Sequence, residues 1–439
     1  MSTSFRPYQP DQAFLLPPDP RDWLAEDHLA YFISDTVDAL DLTAFYAPYE
    51  GDGRRKQPYE PAMMLKVLIY GYATGVFSSR GLARKLHEDV AFRVLAAGNY
   101  PAHRTLCEFR KRHLGDFEAV FIQIVQIAAE VGLVQLGMLA IDGTKIKANA
   151  SKHKAMSYGR MQQEEKRLRK EIRSLTKRAQ KTDEQEDRRF GAAFTGDELP
   201  AEVARRQTRL ATIQAAKSRL EARQREADRE RGRHEDDNQR PPGGRGSSYK
   251  RPFGEPNEKS QDNFTDPDSR IMKSQGGFIQ CYNGQVAVDG ESRLIVATGM
   301  TQSASDNGQL VPMVEKVRRN TDRLPAKVLA DAGYNAEQNL EYLTDRGIDG
   351  YVAQGREKKS ATPTTRQLRA TMARKLKTKR GHNTYRKRKH IGEPPFGWIK
   401  SALGFRSFSL RGLAQVSGEW DLVCLAVNLK RLAGQMTWG

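Results

Sequence analysis

Cysteine is scarce: three in 439 residues, Cys107, Cys281 and Cys424, far apart and never in a Cys-x-x-Cys pair. That usage argues against a disulfide framework and a cysteine zinc site, and fits a reducing compartment. No apolar run approaches the roughly 20 residues that span a bilayer, and the first residues, Met1 to Pro7, lack the apolar core of a signal peptide. A soluble, cytoplasmic protein with no membrane partner is expected. Acidic residues are outnumbered, 54 against 72 Lys plus Arg, for a net charge of +18 and a pI near 9.7. Such an excess favours a polyanionic partner, most simply nucleic acid. An RNA-binding reading lacks the aromatic strand that stacks on single-stranded bases.

What is present centres on two stretches of one form. The apolar run Met138 to Ile141 ends in Asp142-Gly143 and continues in alternation, with Ile146 facing away from Lys145 and Lys147. The run Ala326 to Ala330 ends in Asp331-Ala332-Gly333-Tyr334. Each reads as a buried strand delivering a carboxylate to its exposed end. Singly, such an aspartate is more simply a turn or a cap. Together they place two carboxylates at one edge of a sheet.

Residues 1–20 are Pro-rich, with Leu15-Leu16-Pro17-Pro18 as a packing arm. Helical spacing runs from Asp27 to about Tyr46 through Leu29, Phe32, Ile33, Val37 and Leu40, and again over 61–75 with Pro61 at its start. Ser78 and Ser79 cap a short helix bearing Arg80, Arg84 and Lys85. Thr105, with Glu108 three residues on, reads as a capping box ahead of Arg110, Lys111 and Arg112. Helix, turn and basic helix suggest a DNA-reading module, with Arg80, Arg84, Arg104, Arg110 and Arg112 as candidate contacts.

Between about Met156 and Arg233 apolar residues fall at helical spacing (Leu168, Ile172, Leu175, Ala179; then Leu210, Ile213, Ala216, Leu220) in an otherwise charged stretch. This predicts an antiparallel helical hairpin with its loop near 182–199. Residues 234–262 have the composition of a flexible linker. Two hairpin strands follow, 277–289 and 294–300, joined at Asp289-Gly290. A helix over 307–319 leads to the Asp331 strand, and another helix near 336–346 precedes a strand at 350–353. Residues 355–390 form a dense basic block of the kind that is disordered or laid on phosphates. A helical segment then carries Glu393, and Trp420 to Leu432 closes the chain as an apolar helix. The expected organisation is a helical DNA-binding domain (1–135), an α/β catalytic domain (136–154 and 263–439), a helical hairpin insertion (155–233) and a flexible linker (234–262).

Three carboxylates, Asp142, Asp331 and Glu393, converging on one site suit a pair of divalent cations about 4 Å apart, Mg²⁺ or Mn²⁺, with open positions for water and a phosphate. Without metal charge the acids repel, so a loosely ordered site is expected.

On these residues the chain resembles the DDE transposases of bacterial insertion sequences, which have a ribonuclease-H-like catalytic core. The matching motifs are Asp142 in Ile-Asp-Gly-Thr-Lys, Asp331 in Ala-Asp-Ala-Gly-Tyr and Glu393 in Glu-Pro-Pro-Phe-Gly-Trp-Ile-Lys. One large group carries a Tyr, Arg, Glu, Lys signature around the third acid. Glu393 and Lys400 match its second half, while Tyr385 and Arg388 stand one residue further from the glutamate than that pattern has it. Lys389 therefore occupies the arginine position, and the role stays open between Arg388 and Lys389. The stretches Thr265 to Arg270, Cys281-Tyr282-Asn283, Tyr59-Glu60-Pro61 and Phe109-Arg110 also resemble the family. The resemblance implies metal-dependent cutting of DNA at the element's terminal inverted repeats and attack of the freed 3′-hydroxyl on target DNA. It further implies DNA contacts by Tyr385, Arg388, Lys389 and Lys400, a homodimer on DNA and a nucleoid-associated location. A metal-dependent nuclease without strand transfer, and an inactive DNA-binding derivative, are the alternatives.

Overall fold

The computed structural model describes residues 19–50, 57–190, 198–235, 249–274, 277–355 and 363–436. The expected arm at Leu15 to Pro18, residues 191–197 of the expected hairpin loop, part of the expected linker (236–248) and Arg356, Lys358 and Lys359 of the basic block lie outside them.

Helices come first: α1 (Leu29–Asp38), α2 (Thr43–Tyr46), α3 (Pro61–Ala73), α4 (Ser79–Glu88), α5 (Val90–Leu95), α6 (His103–Arg112) and α7 (Asp116–Glu130). Ser78 caps α4 by accepting from Gly81 N at 3.0 Å. Thr105 does not cap α6. The Leu106 amide already bonds to the Ala102 carbonyl, so helical pairing starts at Ala102 and Thr105 falls inside the first turn.

Strand β1 (Leu139–Lys147) and the short β2 (Ala155–Ser157) lead to two long helices, α8 (Tyr158–Phe190) and α9 (Glu198–Glu230). The helices pack through a small core of their own, including Met161, Leu168, Ile213, Ala216 and Leu220. Cross-helix ion pairs, Arg206 to Glu171 at 3.0 Å and Lys217 to Glu165 at 3.2 Å, flank it. The described part of the expected linker is folded. β3 (Gln261–Asn263) pairs with β2, the Gly254 amide donates to Asp228 at 3.0 Å, and buried Asp262 is gripped by Arg219 and Arg223. Its polar composition conceals these partners, which are supplied by α9.

The chain continues as β4 (Arg270–Ser274), β5 (Gly277–Asp289), β6 (Ile295–Thr301), α10 (Leu310–Thr321), β7 (Lys327–Ala330), α11 (Glu337–Asp345) and β8 (Asp349–Val352). The basic block, where described, is helical: α12 (Pro363–Lys377), then α13 (Lys379–Gly397) and the final α14 (Leu413–Met436). The main sheet has the order β4-β5-β1-β7-β8, with β6 also on β5. β1–β7 and β7–β8 are parallel and the other pairs antiparallel, so this is a mixed α/β sheet flanked by helices.

Helix α14 packs on β6, α3 and α7, so one continuous core joins the N-terminal helices to the sheet. Its Asn428 pairs both backbone groups of Ile295 on β6, at 2.9 and 2.7 Å. A polar link crosses the same contact. Arg110 Nη1 donates to the Tyr72 hydroxyl at 2.8 Å and to the Phe77 carbonyl at 2.8 Å. Tyr72 donates in turn to buried Glu419 of α14 at 3.3 Å, and Glu419 accepts the amides of Ser409 and Leu410. This corrects one expectation. Arg110 is 3% exposed and holds α6 against α3 and α14; it is not a DNA contact.

Arg110→Ala takes the donor from the buried Tyr72 hydroxyl and the Phe77 carbonyl and removes the cation near buried Glu419, and should cost about 3 kcal/mol. Exposed Arg112→Ala should stay within about 0.5 kcal/mol of wild type. Urea unfolding of the two variants measures the difference.

Candidate active site

The parallel register of β1 and β7 sets Ala140 opposite Leu329. Two residues further on come Asp142, still within β1, and Asp331, the residue that follows the last of β7, so the register carries both aspartates to the same level of the sheet. β7 stops at Ala330. Asp331 turns the chain, its Oδ1 accepting from Gly333 N at 2.7 Å. Asp142 is not at the end of its strand, contrary to expectation. β5 goes on pairing with β1 as far as Lys147, so Asp142 lies mid-strand, where only its parallel neighbour has ended. The Gly143 amide donates to its Oδ1 at 2.9 Å.

The third acid arrives on α13, which crosses β1 at Gly392. A Cβ there would stand 3.4 Å from that of Asp142, leaving no room for a side chain larger than alanine. Glu393 follows directly, and Pro394 and Pro395 lie inside the helix rather than ending it. Pro394 has no N–H to offer the His390 carbonyl. Arg293, at the β5–β6 turn, donates to that oxygen instead, at 2.9 Å. Beyond Gly397 the backbone widens into a π-helical turn, Trp398–Ala402.

Arg388 ties the acids together. Nη1 donates to Asp142 Oδ2 and Nη2 to Glu393 Oε1, each at 3.1 Å, and Tyr385 lies against the guanidinium. The Asp142 end is sheltered, with side chains 14% and 11% exposed, whereas Glu393 is 52% exposed. The bond to Asp142 is therefore the stronger half, and the bond to Glu393 is screened by water. Burial pushes the Asp142 carboxyl up to about 6. Arg388 and the Gly143 amide pull it down, and Asp331 and Glu393 push it further up. An internal cation therefore already stands among the acids, bonded to Asp142 and Glu393.

Lys389 is exposed, so of the two signature candidates it is Arg388 that touches the carboxylates. Lys400 donates to Thr144 Oγ1 and to the Lys145 carbonyl at 2.9 Å. It stands two residues from Asp142 along β1, with two of its three donors already engaged. Arg80, Arg84, Arg104 and Arg112 are exposed on α4 and α6, away from the acids, with Arg84 near Glu88 at 3.5 Å and Arg112 over the Tyr49 ring at 5.4 Å. Sequence reasoning passed over Gly392, Arg293 and Gln285, and quoted Asn283 only within a family motif, without pairing it with Gln285 on β5. That pairing was detectable, because two amides at alternate positions of an apolar strand share one face.

Among the described residues no three acidic, histidine or cysteine side chains converge closely enough to grip a cation; between Asp142 and Glu393 stands Arg388. The donor chemistry still suits a hard divalent ion, since all three groups are carboxylates and the most buried is strained by its like-charged neighbours. A carboxyl raised on folding costs stability above its folded value, and removing Arg388 raises it further. Arg388→Ala should therefore lose more stability against wild type at pH 7.5 than at pH 5, the gap opening as pH passes about 6. Thermal unfolding at both pH values measures it.

Residues 253–429 match the transposase DDE domain family, a span that contains Asp331 and Glu393 but not Asp142. Residues 18–112 match a second family, the transposase domain DUF772, over the helices that carry Arg80, Arg84 and Arg104. Neither a curated protein nor a solved structure matches the chain. Both matches are to transposase domains, one over the helical N-terminal region and one over the part of the chain that carries Asp331 and Glu393.

Proposed function

We propose that this protein cuts DNA strands at the ends of an insertion sequence and joins the freed 3′-hydroxyl to target DNA, with Asp142, Asp331 and Glu393 as its catalytic acids on a ribonuclease-H-like sheet. One observation carries the reading. Asp142 lies on β1, which pairs in parallel with β7 at Leu139–Val328 and Ala140–Leu329; Asp331 directly follows the last residue of β7, and Arg388 bonds both Asp142 and Glu393, in a chain whose residues 253–429 match a transposase DDE domain.

These three carboxylates would hold Mg²⁺ or Mn²⁺, two ions when substrate is bound, whose charge favours the attacking and departing oxygens of a phosphodiester. The chain's own groups do the rest. β1 and β7 fix Asp142 and Asp331 rigidly, while Glu393, half exposed on a helix, is the adjustable member. Arg388 is a cation already in place beside the acids, suited to a phosphate oxygen when it releases Asp142. Exposed Arg386, Lys387 and Lys389 extend positive charge along α13, giving the DNA backbone a track toward the acids. Arg80, Arg84, Arg104 and Arg112 would contact the terminal inverted repeats from α4 and α6. Synapsis of two ends calls for a homodimer on DNA. The proposed division is a DNA-binding region over 1–135 and a catalytic unit over 136–154 and 263–439. No described helix is long and apolar enough to cross a membrane.

The test is a cleavage and joining assay on DNA carrying the element's ends, with Mg²⁺ or Mn²⁺, comparing wild type with Asp142→Ala, Asp331→Ala and Glu393→Ala. Joined products from wild type, and loss of cutting with retained DNA binding in each variant, are expected. Cutting without joining would make the protein a nuclease. Binding without cutting would make it an inactive derivative.

A further inference from the structure

We propose that Asp306, a fourth carboxylate on the loop between β6 and α10, is a positioning residue that locks the Asp142 strand and the Asp331 turn to each other. The inference rests on the reading of those two aspartates as catalytic.

Two independent observations place it. The first is a hydrogen-bonded chain. Asp306 Oδ1 accepts from Asn283 Nδ2 at 2.6 Å and from Gln285 Nε2 at 2.8 Å, with Lys145 Nζ at 3.5 Å. Asn283 and Gln285 are fully buried and sit opposite Lys145 and Gly143 in the β1–β5 register. Gln285 Oε1 in turn accepts from the hydroxyl of Tyr334, which is also buried and lies in the turn that Asp331 opens. The path therefore runs from the Asp331 turn through Tyr334 and Gln285 to Asp306, and back through Lys145 to the Asp142 strand. Its middle members have no water to replace a lost partner.

The second is steric. A Cβ at Gly143 would lie 3.0 Å from Asp306 Oδ1 and 2.3 Å from Gln285 Nε2. A Cβ at Gly333 would lie 3.3 Å from Asp306 Oδ2 and 2.9 Å from Asp331 Oδ1. The carboxylate is thus packed between the glycine that follows Asp142 and the glycine two residues after Asp331, with no room for a side chain at either. Its Oδ1 is engaged by groups other than the two catalytic aspartates, so Asp306 acts through the frame and not on the substrate. A shift of about 1 Å between reacting groups costs on the order of 10²-fold in rate, so a residue of this kind is read in the chemical step.

The experiment measures three quantities on Asp306→Ala, Asp306→Asn, Tyr334→Phe and the double variant Asp306→Ala/Tyr334→Phe. These are single-turnover cleavage of end DNA with Mg²⁺, DNA affinity, and amide hydrogen exchange over 141–145 and 331–335. Asp306→Ala should cut about 10²-fold more slowly, with DNA affinity unchanged within about twofold and faster exchange in both segments. Asp306→Asn keeps an acceptor for the two amides and should recover most of the rate. Because the residues form one path, the double variant should be no slower than Asp306→Ala. Wild-type cleavage and exchange by Asp306→Ala would overturn the proposal, as would effects of the two single substitutions that simply multiply. If wild type itself does not cut, the transposase reading fails while exchange still decides whether Asp306 locks the two segments. Exchange that changes in neither segment, or in one alone, rejects the lock.

Discussion

Like charges brought together at a partly buried position must be offset, and in this structure the offset is a single guanidinium. Asp142 is fixed by its strand, Asp331 by the end of the next strand, and burial with mutual repulsion raises the Asp142 carboxyl to about 6. Arg388 reaches in from α13 and binds Asp142 and Glu393 at once. The course of α13 follows from that requirement. Gly392 lets the helix lie on β1, and Arg293 satisfies the carbonyl that Pro394 leaves open. The helix runs through both prolines and carries Arg388 and Glu393 on one element. Residues far apart in sequence, 142, 293 and 388–394, form one device.

The same economy links the helical N-terminal region to the sheet. α14 lies between them in their one continuous core, and its Glu419 binds Tyr72 and, through it, Arg110 on one side. On the other side Glu419 holds the amides of Ser409 and Leu410. That loop returns to the far end of β1, where the Phe408 amide meets the Lys147 carbonyl. The proposed DNA-reading helices are thus in continuous packed contact with the strand that carries Asp142. A displacement of α6 by bound DNA would be resisted by buried polar bonds rather than absorbed by a loose tether.

Much of this was legible in the sequence where local pattern decides structure. A strand leading into Asp142, the strand that stops just before Asp331, the hairpin at Asp289-Gly290 and the charged helical pair all follow from periodicity, which depends only on neighbours a few residues away. What escaped depends on distant partners. Asp142 falls inside its strand because β5, more than 130 residues later, is long enough to keep pairing. Arg110 looks like a surface cation on a basic helix until Tyr72 and Glu419 close over it. That the helix continues through Pro394-Pro395, with Arg293 bonded to the His390 carbonyl, depends on a residue 97 positions before His390. Residues 249–262 read as tether by composition, and α9 supplies the partners that fold them. The candidate acids were nameable from their motifs; the cation between them was not placeable, because Lys389 had the expected spacing from Glu393 while Arg388 had the expected residue type and gap from Tyr385.

The most direct test of the central claim is anomalous diffraction from crystals of the protein soaked in Mn²⁺. The account predicts a metal peak bounded by Asp142, Asp331 and Glu393, with the Arg388 guanidinium withdrawn from Asp142. Manganese bound only elsewhere, with Arg388 still bridging Asp142 and Glu393 at saturating metal, would contradict it.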